Sequence, residues 1–122
     1  MTGRVIVLAQ DLIWADRLAR AVEAAGAEPV RVATLERFRD ALASGDAAIV
    51  DLTALAYDGV AALELATAAG TRVLAVGQHD DHELRKRALA AGADRVYAYR
   101  KLFEDGPATV GAWLGRPAGI GS

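Results

Sequence analysis

The chain has 122 residues, 53% hydrophobic and 25% charged, with a formal net charge of −2 and no cysteine. This composition fits one globular domain large enough for a core and excludes a disordered chain. It also excludes disulfides, thiolate catalysis and cysteine-based zinc sites, and it supplies no global field for nucleic acid or anionic membranes.

The N-terminus enters a strand-like run almost at once and lacks the features of a signal peptide. No apolar run approaches the ~20 residues that span a bilayer. A cytoplasmic chain without nucleic-acid or membrane partners is the expectation. Val5 to Ala9 is continuously apolar, as in strands buried on both faces. Asp11 then caps a helix with Trp14, Leu18, Ala21, Val22 and Ala25 on one stripe, stopped by Gly26. Pro29 to Ala33 alternates more, and its proline suits a sheet edge. Thr34 caps a second helix, with Leu35, Phe38 and Leu42 inward.

The next strand, Ala47-Ala48-Ile49-Val50-Asp51, ends in a carboxylate. A loop follows, and Asp58-Gly59 opens a third helix with Val60, Leu63 and Thr67 on one face. Arg72 to Val76 is the fourth strand, stopped by Gly77. His79-Asp80-Asp81-His82 leads into a helix with Leu84, Ala88 and Leu89, ended by Gly92. Arg95 to Tyr99 is more polar and reads as an edge strand. Pro107 fits the first turn of a last helix that buries Val110 and Trp113 or Leu114. Residues 1–115 form the domain, and 116–122, rich in glycine and proline, are expected to be a flexible tail.

Strands alternating with helices predict a parallel sheet covered on both faces. The expectation is a flavodoxin-like three-layer α/β/α sandwich, with five strands in the order 2-1-3-4-5 and five helices. Asp51 then lies at the carboxyl edge of a central strand, where ligands gather in open α/β sheets.

The run from Asp51 to Gly59 and the run Ala91-Gly92-Ala93-Asp94 before the fifth strand resemble the receiver domains of bacterial response regulators. The resemblance extends from Arg4 to about Leu114 and places Asp51 at the phosphoacceptor position. It also implies an acidic pair for Mg²⁺ after the first strand, a hydroxyl after the fourth and a lysine after the fifth. Metal and lysine offset the repulsion when a phosphoryl group meets a carboxylate.

In this chain those positions read Ala9 and Gln10, Gly77, and Tyr99, with Asp11 one residue late and Lys101 just beyond. The pattern resembles the pseudo-receivers, which keep the fold and signal through contacts. No cofactor is expected, and Asp11 with Asp51 would bind Mg²⁺ weakly at best. Asp51 as a remnant is weighed against Asp51 as a live phosphoacceptor served by Asp11 and Lys101. Another alternative is a small-molecule site at the same edge, where Ala9 and Gly77 leave room.

Other motifs carry blander readings. Asp11 is more simply a helix cap, although it could serve as both cap and ligand. The His79–His82 run is a solvated helix start sooner than a metal site. Arg85, Arg87, Arg95, Tyr97 and Tyr99 are expected on the fourth-helix, fifth-strand and fifth-helix face. By the resemblance, that face would bind a protein partner or a second copy. No phosphate loop and no Ser/His/Asp arrangement is found, so no enzyme is expected.

Overall fold

In the computed structural model, residues 3–78 and 80–115 are described. The expected tail at 116–122 and His79 of the histidine–aspartate run lie outside the described residues. Ten elements follow in strict alternation: β1 (Arg4–Leu8), α1 (Leu12–Ala24), β2 (Glu28–Val32), α2 (Leu35–Leu42), β3 (Ala47–Asp51), α3 (Gly59–Ala68), β4 (Arg72–Gly77), α4 (His82–Ala90), β5 (Arg95–Ala98) and α5 (Tyr99–Leu114). The strands form one parallel sheet in the order β2-β1-β3-β4-β5. β1, β3 and β4 are the inner strands and read as apolar runs because helices cover both of their faces.

Alternation along each strand divides the core into two layers. Ile6, Leu8, Ala48, Val50, Val73, Ala75 and Val96 face α2, α3 and α4, together with Phe38, Leu63 and Ala88. Val5, Val7, Ile49, Leu74 and Val76 face α1 and α5, together with Leu18, Val22, Leu102, Val110 and Trp113.

The helices begin as their capping residues direct. The Asp11, Thr34, Asp58 and Asp81 side chains accept first-turn amides of α1 to α4. The Asp58-Gly59 pair also has a packing reason: a Cβ on Gly59 would stand 2.9 Å from the Leu52 Cα. In the Ala91–Asp94 run, Gly92 has a φ of +110°, and a Cβ there would drive into the Thr67 side chain. Asp94 accepts from Arg72 Nη2 at 2.9 Å and Trp113 Nε1 at 2.8 Å, tying the end of α5 to the sheet. Burial alone would raise the Asp94 carboxyl, but the bonds from Arg72 and Trp113 and the nearby guanidinium charges lower it.

Two expectations are corrected. The last helix begins at Tyr99, well before Pro107, and the fifth strand therefore stops at Ala98. α5 breaks at Asp105 (φ −146°, ψ 36°), because Pro107 has no amide to continue the ladder and its ring crowds the preceding turn. Pro107 accordingly occupies the first turn of the second half only. Leu89 on α4 is 46% exposed, so Leu84 and Ala88 carry the packing of that helix.

Candidate functional site

The register brings Leu8, Asp51, Gly77 and Ala98 to one edge of the sheet: Leu8 pairs with Val50, Asp51 with Val76, and Gly77 with Ala98. Asp51 is only 2% exposed. Its Oδ1 accepts from the Thr53 amide and the Thr53 hydroxyl, each at 3.1 Å, and from the Tyr99 hydroxyl. Thr53 Oγ1 and the Tyr99 hydroxyl also lie against each other, so their two protons are shared among these oxygens and Asp51 Oδ1. The Tyr99 ring rests on Trp14, with centroids 4.6 Å apart and planes tilted by 43°. Burial pushes the Tyr99 hydroxyl up. Its bond to Asp51 and the charges of Asp51 and Asp11 act the same way, against a smaller opposing effect of Thr53.

Below this cluster, the buried Tyr57 hydroxyl lies 2.7 Å from the Asp51 carbonyl and 3.1 Å from that of Leu8. It therefore ties β1 to β3 at the site floor. Burial, then the Asp51 charge, pushes the Tyr57 hydroxyl up.

The other site-edge residues are committed to local structure. Gln10 Oε1 accepts from the amides of Leu55 at 2.9 Å and Ala56 at 3.1 Å, pinning the β3–α3 loop to the end of β1. Asp11 Oδ1 accepts from Ile13 at 2.8 Å and Trp14 at 3.1 Å as the α1 cap. Ala9 is buried, and Lys101 is exposed on α5. A Cβ on Gly77 would meet only Leu52 Cδ1 at 3.5 Å, so there is room for a side chain here.

An open cleft of about 680 Å³ covers the edge, lined by Gln10, Asp11, Trp14, Asp51, Thr53 and Tyr99, with Leu55 and Gln78 at its rim. Among the described residues, no three His, Cys, Asp or Glu side chains are grouped to hold a metal ion.

Val96 is the β5 residue that points to the α4 layer, while Tyr97 and Tyr99 pack into the α1/α5 layer. The period of two along β5 separates Val96 from Tyr97, and Tyr99 is the first residue of α5. Arg85, Arg87 and Arg95 are all exposed, and Arg85 Nη1 donates to the Val96 carbonyl at 2.9 Å. His82 is exposed at the start of α4.

Thr53 and Tyr57 are site residues that the motif reading missed. The Asp-x-Thr spacing was a signal for Thr53, because an aspartate readily accepts the amide two residues on. Nothing local marks Tyr57, whose partners on β1 and at the end of β3 meet it only through the fold.

No family model matches the sequence, and no curated protein matches it. Solved structures do. The BeF3-activated receiver domain of DrrB superposes with a TM-score of 0.81 at 19% identity, covering 95% of this chain and 100% of that one. A response regulator receiver protein from Burkholderia phymatum gives 0.77 at 23%, over 98% of this chain and 100% of that one. A response regulator from Thermotoga maritima gives 0.77 at 17%, over 95% and 100%. The chain thus has the flavodoxin-like fold of response-regulator receiver domains. No helix among the described residues is long and apolar enough to cross a membrane.

Proposed function

We propose that the protein is a pseudo-receiver. It is a cytoplasmic, non-enzymatic signalling module that acts through contacts with a protein partner or a second copy, without efficient phosphotransfer. The observation that carries this reading is the Tyr99 hydroxyl on Asp51 Oδ1. Tyr99 stands where the receiver resemblance calls for a lysine. A phenol is a neutral donor. It cannot supply the positive charge that offsets the approach of a phosphoryl group to a buried carboxylate.

The remaining groups support the same reading. Mg²⁺ takes hard oxygen donors in near-octahedral geometry, usually carboxylates, waters and substrate phosphates. Asp51 Oδ1, Asp11 Oδ1 and Gln10 Oε1 each already accept two or more protein donors. Among the described residues, only the second carboxylate oxygens of Asp51 and Asp11 are left for a metal, which supports weak Mg²⁺ binding at best. Gly77 removes the hydroxyl position although the space for a side chain remains.

The test is a titration with Mg²⁺ and beryllofluoride, followed by Trp14 fluorescence and amide NMR shifts, in wild type and Asp51→Asn. No saturable response is expected in either. A saturable wild-type response that disappears in Asp51→Asn would overturn the reading. Replacing Gln10→Asp, Gly77→Thr and Tyr99→Lys together should create a response, because the backbone that would carry the site is already in place.

A further inference from the structure

The cleft over Asp51 has a chemistry that neither phosphotransfer nor Mg²⁺ uses. Asp51 is 2% exposed and lines the cleft, yet its second oxygen, Oδ2, accepts no hydrogen bond among the described residues. The Asp11 carboxylate lines the same cleft, and its charge reaches Tyr99. Trp14 and Tyr99 form an aromatic wall. Among the described residues, no lysine, arginine or histidine belongs to the lining.

The chain already places a cation beside this wall: the Arg17 guanidinium lies 5.7 Å from the Trp14 ring and 4.3 Å from the Phe103 ring. At about 680 Å³ the cleft falls in the size range of small-ligand sites, roughly 300–1,000 Å³.

A buried carboxylate with one open oxygen, a second carboxylate and an aromatic wall suit one ligand class. They do not suit an anion. A hard divalent ion would find only the second oxygens of Asp51 and Asp11 and would keep most of its ligands as water. An ammonium or guanidinium head needs only one or two acceptors and a π surface. We propose that the cleft binds a small organic cation through Asp51 Oδ2, the Asp11 charge and the Trp14–Tyr99 wall. This rests on Asp51 remaining unphosphorylated.

The test titrates choline and agmatine into the full chain without Mg²⁺, against NaCl of equal ionic strength. Trp14 fluorescence and the shifts of the Trp14 indole and the Thr53 amide are the readouts. Saturable shifts are expected for at least one amine, with affinity falling as salt rises. Asp51→Asn should weaken binding roughly tenfold or more, and Trp14→Leu by about threefold or more.

If Asp51→Asn fails to fold, Asp11→Asn supplies the reading, since asparagine also caps a helix while the charge is lost. It should weaken binding several-fold. Shifts equal to those from NaCl, or binding indifferent to the carboxylate replacements, overturn the inference. A null amine titration together with a null beryllofluoride titration removes this inference and leaves the pseudo-receiver reading standing. A beryllofluoride response removes the pseudo-receiver reading itself.

Discussion

Tyr99→Phe isolates the interaction that decides the site. The replacement keeps the ring on Trp14 and removes only the hydroxyl that donates to Asp51 Oδ1. A hydrogen bond to a charged group contributes about 1.5–3 kcal/mol. Two donors from Thr53 remain on the same oxygen, and the phenol no longer has to be desolvated. The net loss should therefore lie at or just below the lower end of that range, about 1–2 kcal/mol.

Asp51→Asn leaves an amide oxygen that Tyr99 can still bond, at roughly half the strength of a charge-assisted bond. The two changes should then be non-additive by about 1 kcal/mol in a double-mutant cycle. Urea unfolding of the four proteins measures this directly, with m-values checked for constancy. A Tyr99→Phe variant as stable as wild type, or additivity within about 0.3 kcal/mol, would refute the phenol–carboxylate pairing.

Three further outcomes follow from the packing. Tyr57 and Tyr99 both hold their protons more tightly folded than unfolded, so their stabilisation is complete below the ordinary tyrosine pKa of 10.0 and declines as pH rises above it. Unfolding free energy should fall by about 1.4 kcal/mol per pH unit for each tyrosine there, and Tyr57→Phe with Tyr99→Phe should flatten the slope. Gly92→Ala should cost about 2–3 kcal/mol by thermal or urea unfolding, since it combines a positive φ with a clash against Thr67. A loss below about 0.5 kcal/mol would refute that geometry.

Thr109 Oγ1 is buried without a hydrogen-bond partner among the described residues, because the carbonyl one turn back belongs to Asp105 at the break in α5. Thr109→Val should stabilise by about 1 kcal/mol, and a destabilised variant would show that the hydroxyl is bonded after all.

What the sequence determined by itself was the order and type of the elements. Continuous apolar runs at Val5–Ala9 and Ala47–Val50 can be buried only between two helical layers, and capping aspartates and threonine mark where the first four helices start. Proline and polar residues assigned β2 and β5 to the edges, which fixed the strand order. Asp51 was legible as the candidate site because a carboxylate closing a buried strand stands at the carboxyl edge.

The tertiary structure decided how that carboxylate is used. Tyr99 is 48 residues from Asp51, and no local signal shows that its hydroxyl swings over the sheet edge. Gln10 likewise finds its loop amides 45 and 46 residues away. Periodicity reports which layer a residue enters. Which hydroxyl meets which carboxylate depends on register across strands and on where α5 begins, and those are set by packing over the whole domain.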